Sequence, residues 1–233
     1  MKLKDKCALV TGGSEGIGYG IAKALIARGA RVCIMARDET KLKKAAGELG
    51  AEPFTGDAGR EEDAIRVVKS FVERFGGIDI LLNNAGFAHT FPLVEADQEK
   101  FEAVFRVNVT GALLMARECA RHFVAQNSGN IVNISSTSGL HGGKNSSAYS
   151  GSKFALRGMT ECWRAELRPH NVRVTLVNPS EVQTSFFAKM GIEQEKSEKK
   201  LRSSEIADAI VGALEIDDRG FIPEFSVFAT NPF

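Results

Sequence analysis

Apolar residues of the chain fall into short runs that alternate with longer segments of helical periodicity. The short runs are rich in Val, Ile and Leu and lack strict polar alternation, which is typical of strands covered on both faces. Six such runs lie at residues 7–10, 31–35, 52–54, 78–83, 130–135 and 172–178. The pattern therefore predicts the interior strands of a parallel sheet.

Helical spacing of apolar residues occupies most of the chain between these runs. It predicts helices at about residues 17–28, 40–49, 61–75, 97–127, 149–168 and 204–215. Because parallel strands need right-handed crossovers, this order predicts an α/β fold in which helices cover both faces of a doubly wound sheet. The segment GFIPEFSVF near the C-terminus is expected to add a last short strand.

Residues 180–203 break this rhythm, since two phenylalanines precede a stretch rich in Lys and Glu. Long irregular segments inside compact domains are usually functional or disordered. We interpret the segment as a mobile substrate flap with a short helix. The prediction is a single domain over residues 1–233, with the flap inside it.

The composition is that of an ordinary globular protein and does not favour nucleic acid or a membrane as a partner. The 233 residues are 43% hydrophobic and 25% charged, as in ordinary globular proteins. Thirty basic and 29 acidic residues leave a net charge of +1, so nothing favours nucleic acid or an anionic membrane as a partner. No secretory-type apolar segment begins the sequence and no apolar run is long enough to span a membrane, so a cytoplasmic location is expected.

The four cysteines, Cys7, Cys33, Cys119 and Cys162, lie too far apart in sequence to form a zinc-type pair. We expect structural roles for all four. The histidines show no metal-ligand spacing either, and no metal is expected.

The motif TGGSEGIG at residues 11–18 joins the first predicted strand to the first predicted helix. Its glycines permit a tight turn and a close backbone approach, and the N-terminus of a helix favours a phosphate group. A plain strand–helix turn is the alternative, and the G-x₃-G-x-G spacing differs from the general dinucleotide fingerprint. The strand–turn–helix context favours a Rossmann-type sheet that binds a dinucleotide through Gly12, Ser14, Gly16, Ile17 and Gly18.

The end of the second strand is expected to select the dinucleotide. An acidic residue there suits the ribose of NAD, whereas an arginine suits the 2′-phosphate of NADP. Here Ala36 occupies that position and Arg37 follows, so NADP(H) is favoured. The alternative is that Arg37 is only a solvated loop residue while Asp38 caps the next helix. Glu15 is a contrary signal, because it is negative beside a proposed phosphate.

Candidate proton-transfer chemistry begins with Tyr149, one of only two tyrosines. Lys153 follows at i+4, on the same face of a helix. A nearby ammonium favours phenolate, so we expect Lys153 to lower the pKa of Tyr149 toward the range of a general acid/base. An isolated Tyr-x₃-Lys spacing is more often an ordinary surface pair.

Polar residues elsewhere support the pair. Ser136 ends the fifth strand, where ligands of doubly wound sheets bind, and could hydrogen-bond a substrate carbonyl. Asn83-Asn84-Ala85-Gly86 ends the fourth strand at the same edge. Asn108 interrupts an apolar stretch of the long predicted helix. It is either a satisfied polar group in the core or a kink that holds a water reaching Lys153.

Taken together, TGGSEGIG, Asp57, NNAG, Asn108, Ser136, YSGSK and NPSEVQT resemble the classical short-chain dehydrogenase/reductase family across nearly the whole chain. The resemblance implies that Tyr149 exchanges the proton, Lys153 tunes it and binds the nicotinamide ribose, Ser136 polarises the substrate oxygen and Asn108 supports a water relay. It also implies cofactor contacts, which would come from Asp57, Asn84, Ala85, Gly86, Pro179, Val182 and Thr184.

Two features depart from the family pattern. Ser180 stands where the family often has glycine after Asn-Pro, which leaves the path of that loop open, and the usual C-terminal Asp-Gly-Gly ending is missing. A homodimer through the two long helices, or a homotetramer, is implied by the resemblance. Pocket candidates are His89, His141, Phe186, Phe187 and Met190, although His141 could also act as an acid/base and the last three could pack on the domain body.

The sequence thus predicts an NADP(H)-dependent carbonyl reductase or alcohol dehydrogenase, with a small carbonyl or secondary alcohol as substrate. Two alternatives stay open: an NAD-preferring alcohol dehydrogenase, and a non-catalytic protein that senses NADP(H). The substrate, the direction and the stereospecificity are not evident from the sequence.

Overall fold

Seven parallel strands form one sheet in the order β3-β2-β1-β4-β5-β6-β7. The structure is a computed structural model that describes residues 1–188 and 197–232, without the side chain of Phe187. The strands are β1 (Cys7–Thr11), β2 (Arg31–Ala36), β3 (Glu52–Thr55), β4 (Ile80–Asn83), β5 (Gly129–Ile134), β6 (Val172–Pro179) and β7 (Glu224–Val227). The order reverses between β1 and β4, and such a switch point is where doubly wound sheets bind their ligands.

Helices cover both faces of this sheet. They are α1 (Gly16–Ala27), α2 (Glu39–Leu49), α3 (Glu61–Phe75), α4 (Gln98–Phe105), α5 (Ala112–Ala125), α6 (Ser147–Leu167), α7 (Ser185–Ala188) and α8 (Ser203–Leu214). Short 3₁₀ turns lie at Leu93–Glu95, Thr137–Gly139 and Arg168–His170. The predicted Rossmann-type, doubly wound, single-domain α/β fold is confirmed, including the last strand near the C-terminus.

Two hydrophobic cores, one on each face, explain why the strands read as continuous apolar runs. Along β1, Ala8 and Val10 face the core shared with α1, α2 and α8, while Cys7 and Leu9 face the core shared with α3 and α5. Successive side chains of a strand point to opposite faces, so both sets must be apolar. Cys7, Cys33 and Cys119 are buried, whereas Cys162 is exposed on α6.

The long helix predicted over residues 97–127 is wrong as one regular helix. Arg106–Gly111 forms a π-helical turn between α4 and α5, with the buried Asn108 inside it. A β-carbon on Gly111 would lie 3.1 Å from the backbone of Ala58, so the helix passes close to that loop. Such π turns are frequent at functional sites.

No helix within residues 1–188 and 197–232 is long and apolar enough to cross a membrane.

Candidate active site

The phosphate loop (residues 11–18) joins the carboxyl end of β1 to the start of α1. Gly12 has a φ of +66°, and a β-carbon there would lie 2.9 Å from Asn84 Nδ2. A β-carbon on Gly18 would overlap the carbonyl oxygen of Gly12. The turn therefore needs glycine at both positions. The first N–H groups of α1 have no partners within the helix, which suits a bound phosphate.

Thr11 and Asn84 hold this loop against the end of β4. Thr11 Oγ1 accepts hydrogen bonds from the backbone N–H groups of Asn84 and Ala85, each at 3.0 Å. Asn84 Nδ2 donates to the carbonyl oxygens of Thr11 at 2.9 Å and Gly12 at 3.2 Å. The amide of Asn84 thus supports the loop itself. Sequence reasoning missed Thr11, although a hydroxyl that ends an apolar strand was a usable signal.

Arg37 and Asp57 lie together beyond the carboxyl ends of β2 and β3. Arg37 Nη1 is 3.9 Å from Asp57 Oδ2, and the arginine side chain is 65% exposed. Asp57 Oδ1 also accepts the N–H of Gly59 at 2.9 Å. Asp38 caps α2 by accepting the N–H of Lys41 at 3.0 Å. An exposed ion pair of this length is weak, so the guanidinium can turn to a phosphate.

The three proton-transfer candidates converge where β5 ends beside α6. Ser136 lies two residues after the end of β5, and a hydrogen bond from its hydroxyl favours the ionised form of the Tyr149 phenol. Lys153 lies one helical turn further, with Nζ 5.6 Å from the centroid of the Tyr149 ring. The same ammonium donates to the carbonyl oxygen of Ile134 at 2.8 Å. The sequence-predicted trio therefore forms one cluster at the carboxyl edge of the sheet.

Burial dominates the electrostatics of this cluster. It raises the pKa of Tyr149 to about 12, while the hydrogen bond with Ser136 acts in the opposite direction. Burial also lowers the pKa of Lys153 to about 8. The expected lowering of the Tyr149 pKa by Lys153 is therefore not seen in this structure, because desolvation of the phenol outweighs the effects of its neighbours.

Asn108 is fully used by contacts inside the protein. Its Nδ2 donates to the carbonyl of Phe87 at 2.9 Å and to Ser152 Oγ at 3.0 Å, while its Oδ1 accepts the N–H of Phe87 at 3.0 Å. Ser152 Oγ in turn donates to the carbonyl of Tyr149 at 2.7 Å. Asn108 is therefore a polar group whose hydrogen bonds are satisfied inside the core, and it also lies where the helix is distorted. Ser152, which sequence reasoning missed, links it to the tyrosine.

The flap begins with ordered contacts at the same edge. Ser180 directly follows Pro179, and its N–H donates to the carbonyl of Val227 at 2.9 Å. Ser180 does not have a positive φ, so the departure from glycine needs no strained backbone. Val182 is buried and pairs with Leu201 in an isolated bridge. The side chain of Thr184 lies 3.5 Å from the β-carbon position of Gly16, next to the phosphate loop.

The pocket candidates are only partly described. The ring of Phe186 lies 5.5 Å from the ring of Tyr149, between centroids. His89 is half-buried and meets Phe87 edge to face at 5.4 Å, whereas the side chain of His141 is exposed. The side chain of Phe187 and all of Met190 lie outside the described residues.

Comparison with known proteins assigns this architecture to a family. A family model described as short chain dehydrogenase matches residues 6–195. An uncharacterized oxidoreductase of Staphylococcus saprophyticus is 36% identical over 221 residues, which cover 92% of this chain and 93% of that protein. Zerumbone synthase of Zingiber zerumbet is 36% identical over 208 residues, covering 87% and 78%. The chain belongs to the short-chain dehydrogenase/reductase family and is an oxidoreductase.

Solved structures of two oxidoreductases share this fold. A 3-ketoacyl-(acyl-carrier-protein) reductase from Brucella melitensis, complexed with NADH, superposes with a TM-score of 0.91 at 28% identity and 98% coverage of both chains. An alcohol dehydrogenase from the archaeon Thermococcus sibiricus, complexed with 5-hydroxy-NADP, gives 0.88 at 27% identity and 97% coverage of both. The two neighbours carry different nicotinamide cofactors.

Proposed function

We propose that the protein transfers hydride between NADP(H) and a carbonyl or secondary alcohol, with Tyr149 as general acid/base. The observation that carries the proposal is the convergence of Ser136, Tyr149 and Lys153 at the edge where the phosphate loop also lies. A protein that only senses the cofactor needs the loop but not this trio. The cluster therefore favours an enzyme over the sensor.

The residues present fit a nicotinamide dinucleotide. The phosphate loop offers backbone N–H groups at the start of α1 to a pyrophosphate. Arg37 offers a guanidinium and Asp57 a carboxylate to the adenosine end. Pro179 ends β6, and the side chain of Thr184 lies beside Gly16. Together with Val182, these residues would contact the nicotinamide end.

In the reductive direction, a bound nicotinamide supplies the hydride to the carbonyl carbon. Ser136 donates a hydrogen bond to the carbonyl oxygen, and Tyr149 donates its proton to the same oxygen as negative charge develops there. With a pKa of about 12, Tyr149 is fully protonated at neutral pH, as a proton donor must be. Lys153, buried one turn away, stabilises the phenolate that remains. In oxidation each step reverses.

The preference for NADP(H) over NAD(H) rests on Arg37 and on the lack of an acidic residue at Ala36. The runner-up, an NAD-preferring alcohol dehydrogenase, is favoured by Glu15 in the phosphate loop and by the NADH bound to the Brucella neighbour. However, Glu15 Oε2 accepts a 2.6 Å hydrogen bond from Ser185 Oγ, which directs that carboxylate toward the flap.

We also propose a homo-oligomer, either a dimer or a tetramer. Apolar side chains on α4, α5 and α6 are exposed, namely Phe101, Leu113 and Phe154. These side chains lie on the helices through which the family resemblance implies a dimer, and their exposure there supports the proposal. The cytoplasmic location stays a prediction from the sequence.

Replacing Tyr149 by phenylalanine tests the chemistry. Tyr149→Phe removes the proton donor and keeps the ring, so kcat/KM should fall by about 10³-fold or more while the Kd for NADPH changes less than about threefold. Steady-state oxidation of NADPH and NADH over a panel of carbonyl compounds, together with cofactor titration, measures both. Turnover near the wild-type rate in the variant would remove Tyr149 from the mechanism.

Arg37→Ala tests the cofactor choice. The Kd for NADPH should rise by about tenfold or more, whereas the Kd for NADH should change less than about twofold, because only NADPH presents a 2′-phosphate. Arg60→Ala, an exposed arginine just before α3, is the matched control. Equal shifts for both cofactors would contradict the role of Arg37 and favour the NAD-preferring alternative.

A further inference from the structure

The start of the flap is held in place by contacts with two separate parts of the protein. Ser185 Oγ donates to Glu15 of the phosphate loop at 2.6 Å. Gln183 Nε2 donates to the carbonyl oxygen of Ser197 at 2.6 Å, and its backbone N–H donates to that of Leu201 at 2.8 Å. Both sides of the undescribed segment are therefore tied together next to the active site. Phe186 therefore directly follows a residue that is tied to the phosphate loop.

The ring of Phe186 lies next to the ring of Tyr149, the proposed proton donor. Its ring is tilted by 53° to the ring of Tyr149, with 5.5 Å between centroids. Such a tilted pair is a favourable geometry for aromatic rings. The N–H of Phe186 donates to Thr184 Oγ1 at 3.3 Å, which ties the backbone of Phe186 to the proposed nicotinamide contact.

A second aromatic group lies against the same turn of α6. Phe87 packs on the small cluster of Phe91, Val104 and Ala148, and Ala148 directly precedes Tyr149. Asn108 fixes Phe87 by bonding both its N–H and its carbonyl. His89 meets the ring of Phe87 edge to face. Apolar and aromatic side chains thus pack around the residue before Tyr149, and the Tyr149 ring itself meets the ring of Phe186.

We propose that Phe186 determines substrate specificity and that the substrate is a ketone, or its secondary alcohol, with an uncharged aromatic ring next to the reacting carbon. The inference rests on the proposed function, because it assumes that the reacting oxygen sits at Ser136 and Tyr149. A group attached to that carbon must then lie beside Phe186. A flat ring gains contact with the aromatic side chain, whereas a charged group would lose its hydration beside that ring.

The first experiment compares three ketones on the wild-type protein with saturating NADPH. They are acetophenone, cyclohexyl methyl ketone of nearly equal size, and 4-acetylbenzoate, which adds a carboxylate. The value of kcat/KM for 4-acetylbenzoate should be about 100-fold or more below that for acetophenone. Equal values for these two, or a higher value for a 3-oxoacyl thioester than for acetophenone, would overturn the inference.

The second experiment isolates the ring. Phe186→Leu keeps the apolar bulk and removes the aromatic face, so the acetophenone-to-cyclohexyl ratio of kcat/KM should fall by about three- to tenfold relative to wild type. Comparing this ratio between proteins cancels the intrinsic reactivities of the ketones. Phe186→Tyr keeps a ring and should retain the wild-type ratio.

Phe75→Leu is the matched control. It removes the partner of a similar tilted pair, Phe71 with Phe75, at 4.8 Å, and Arg31 at the start of β2 covers its ring at the opposite edge of the sheet. An unchanged ratio in both Phe186→Leu and Phe75→Leu would refute the role of Phe186 and leave the proposed function intact. If wild type reduced no ketone or thioester with either cofactor, the proposed function would fail first.

Discussion

The phosphate loop and the proton-transfer cluster share one edge of the sheet, yet they are built from different kinds of contact. The loop works through its backbone. Because Gly12 and Gly18 have no side chains, their backbones lie close together, and Asn84 Nδ2 donates hydrogen bonds to the carbonyl oxygens of the loop. The cluster works through side chains that are buried, as Lys153 is, or half-buried, as Tyr149 is, and burial raises the pKa of Tyr149 and lowers that of Lys153. In the loop, function and stability depend on the same contacts. In the cluster, function costs stability, because an ammonium that lies inside the protein loses its hydration.

We expect the largest effect on cofactor binding and stability from adding a single methyl group to the phosphate loop. In Gly18→Ala the new β-carbon would overlap the carbonyl oxygen of Gly12 and lie 2.5 Å from Asn84 Nδ2. We expect the Kd for NADPH to rise by about 100-fold or more and the protein to lose about 1–3 kcal/mol of stability. Cofactor titration and urea unfolding measure the two effects.

Gly47→Ala is the control for that substitution, since nothing lies within 4 Å of the β-carbon position of Gly47 in α2. It should be neutral or stabilise the protein by up to about 1 kcal/mol. Wild-type binding and stability in Gly18→Ala would show that the loop tolerates side chains, and the contrast between the two regions would disappear.

In the cluster, we expect a residue that supports function to lower the stability of the protein. Lys153 is 5% exposed, and its pKa of about 8 lies below the ordinary value of 10.5. Below pH 8 the folded protein must bury the charge, and between pH 8 and 10.5 only the unfolded chain keeps the proton, so this cost disappears as pH rises. Lys153→Met should therefore be more stable than wild type at pH 7, by on the order of 1–2 kcal/mol, and the advantage should vanish near pH 10.5. Its kcat/KM should fall by about 100-fold or more.

Urea unfolding of both proteins at pH 7, 9 and 10 gives this difference directly. Lys69→Met, which removes a 73% exposed lysine of α3, should follow wild type at each pH. A Lys153→Met protein that is less stable than wild type by the same amount at every pH would mean that the buried ammonium carries no net cost.

The smallest effect is expected where the phosphate loop meets the flap. Ser185→Ala removes the hydrogen bond to Glu15 on an exposed part of the surface. The KM for a ketone should rise about two- to fivefold while the Kd for NADPH changes less than about twofold, because a single exposed hydrogen bond contributes little. Ser204→Ala, which removes a similar Ser–Glu contact at the start of α8, is the control. A larger effect on NADPH than on the ketone would mean that Ser185 supports the loop and not the flap.

Local patterns in the sequence determined the sheet, most helix boundaries and the identity of the candidate residues. Continuous apolar runs require two covered faces, glycines at a strand–helix turn require a close approach, and Tyr149 and Lys153 share a face because four residues make about one helical turn. These features depend on neighbours within a few positions along the chain. They can therefore be read without knowing the rest of the fold.

Only the tertiary structure decided how distant segments change those residues. Asn108, inside the π turn, is held by hydrogen bonds to Phe87 and Ser152, which lie 21 and 44 positions away. The pKa of Tyr149 rises because burial, a property of the whole fold, outweighs the hydrogen bond with Ser136. Phe186 meets the tyrosine ring across 37 residues of chain. Desolvation and packing sum over atoms from many elements, so no local pattern carries them.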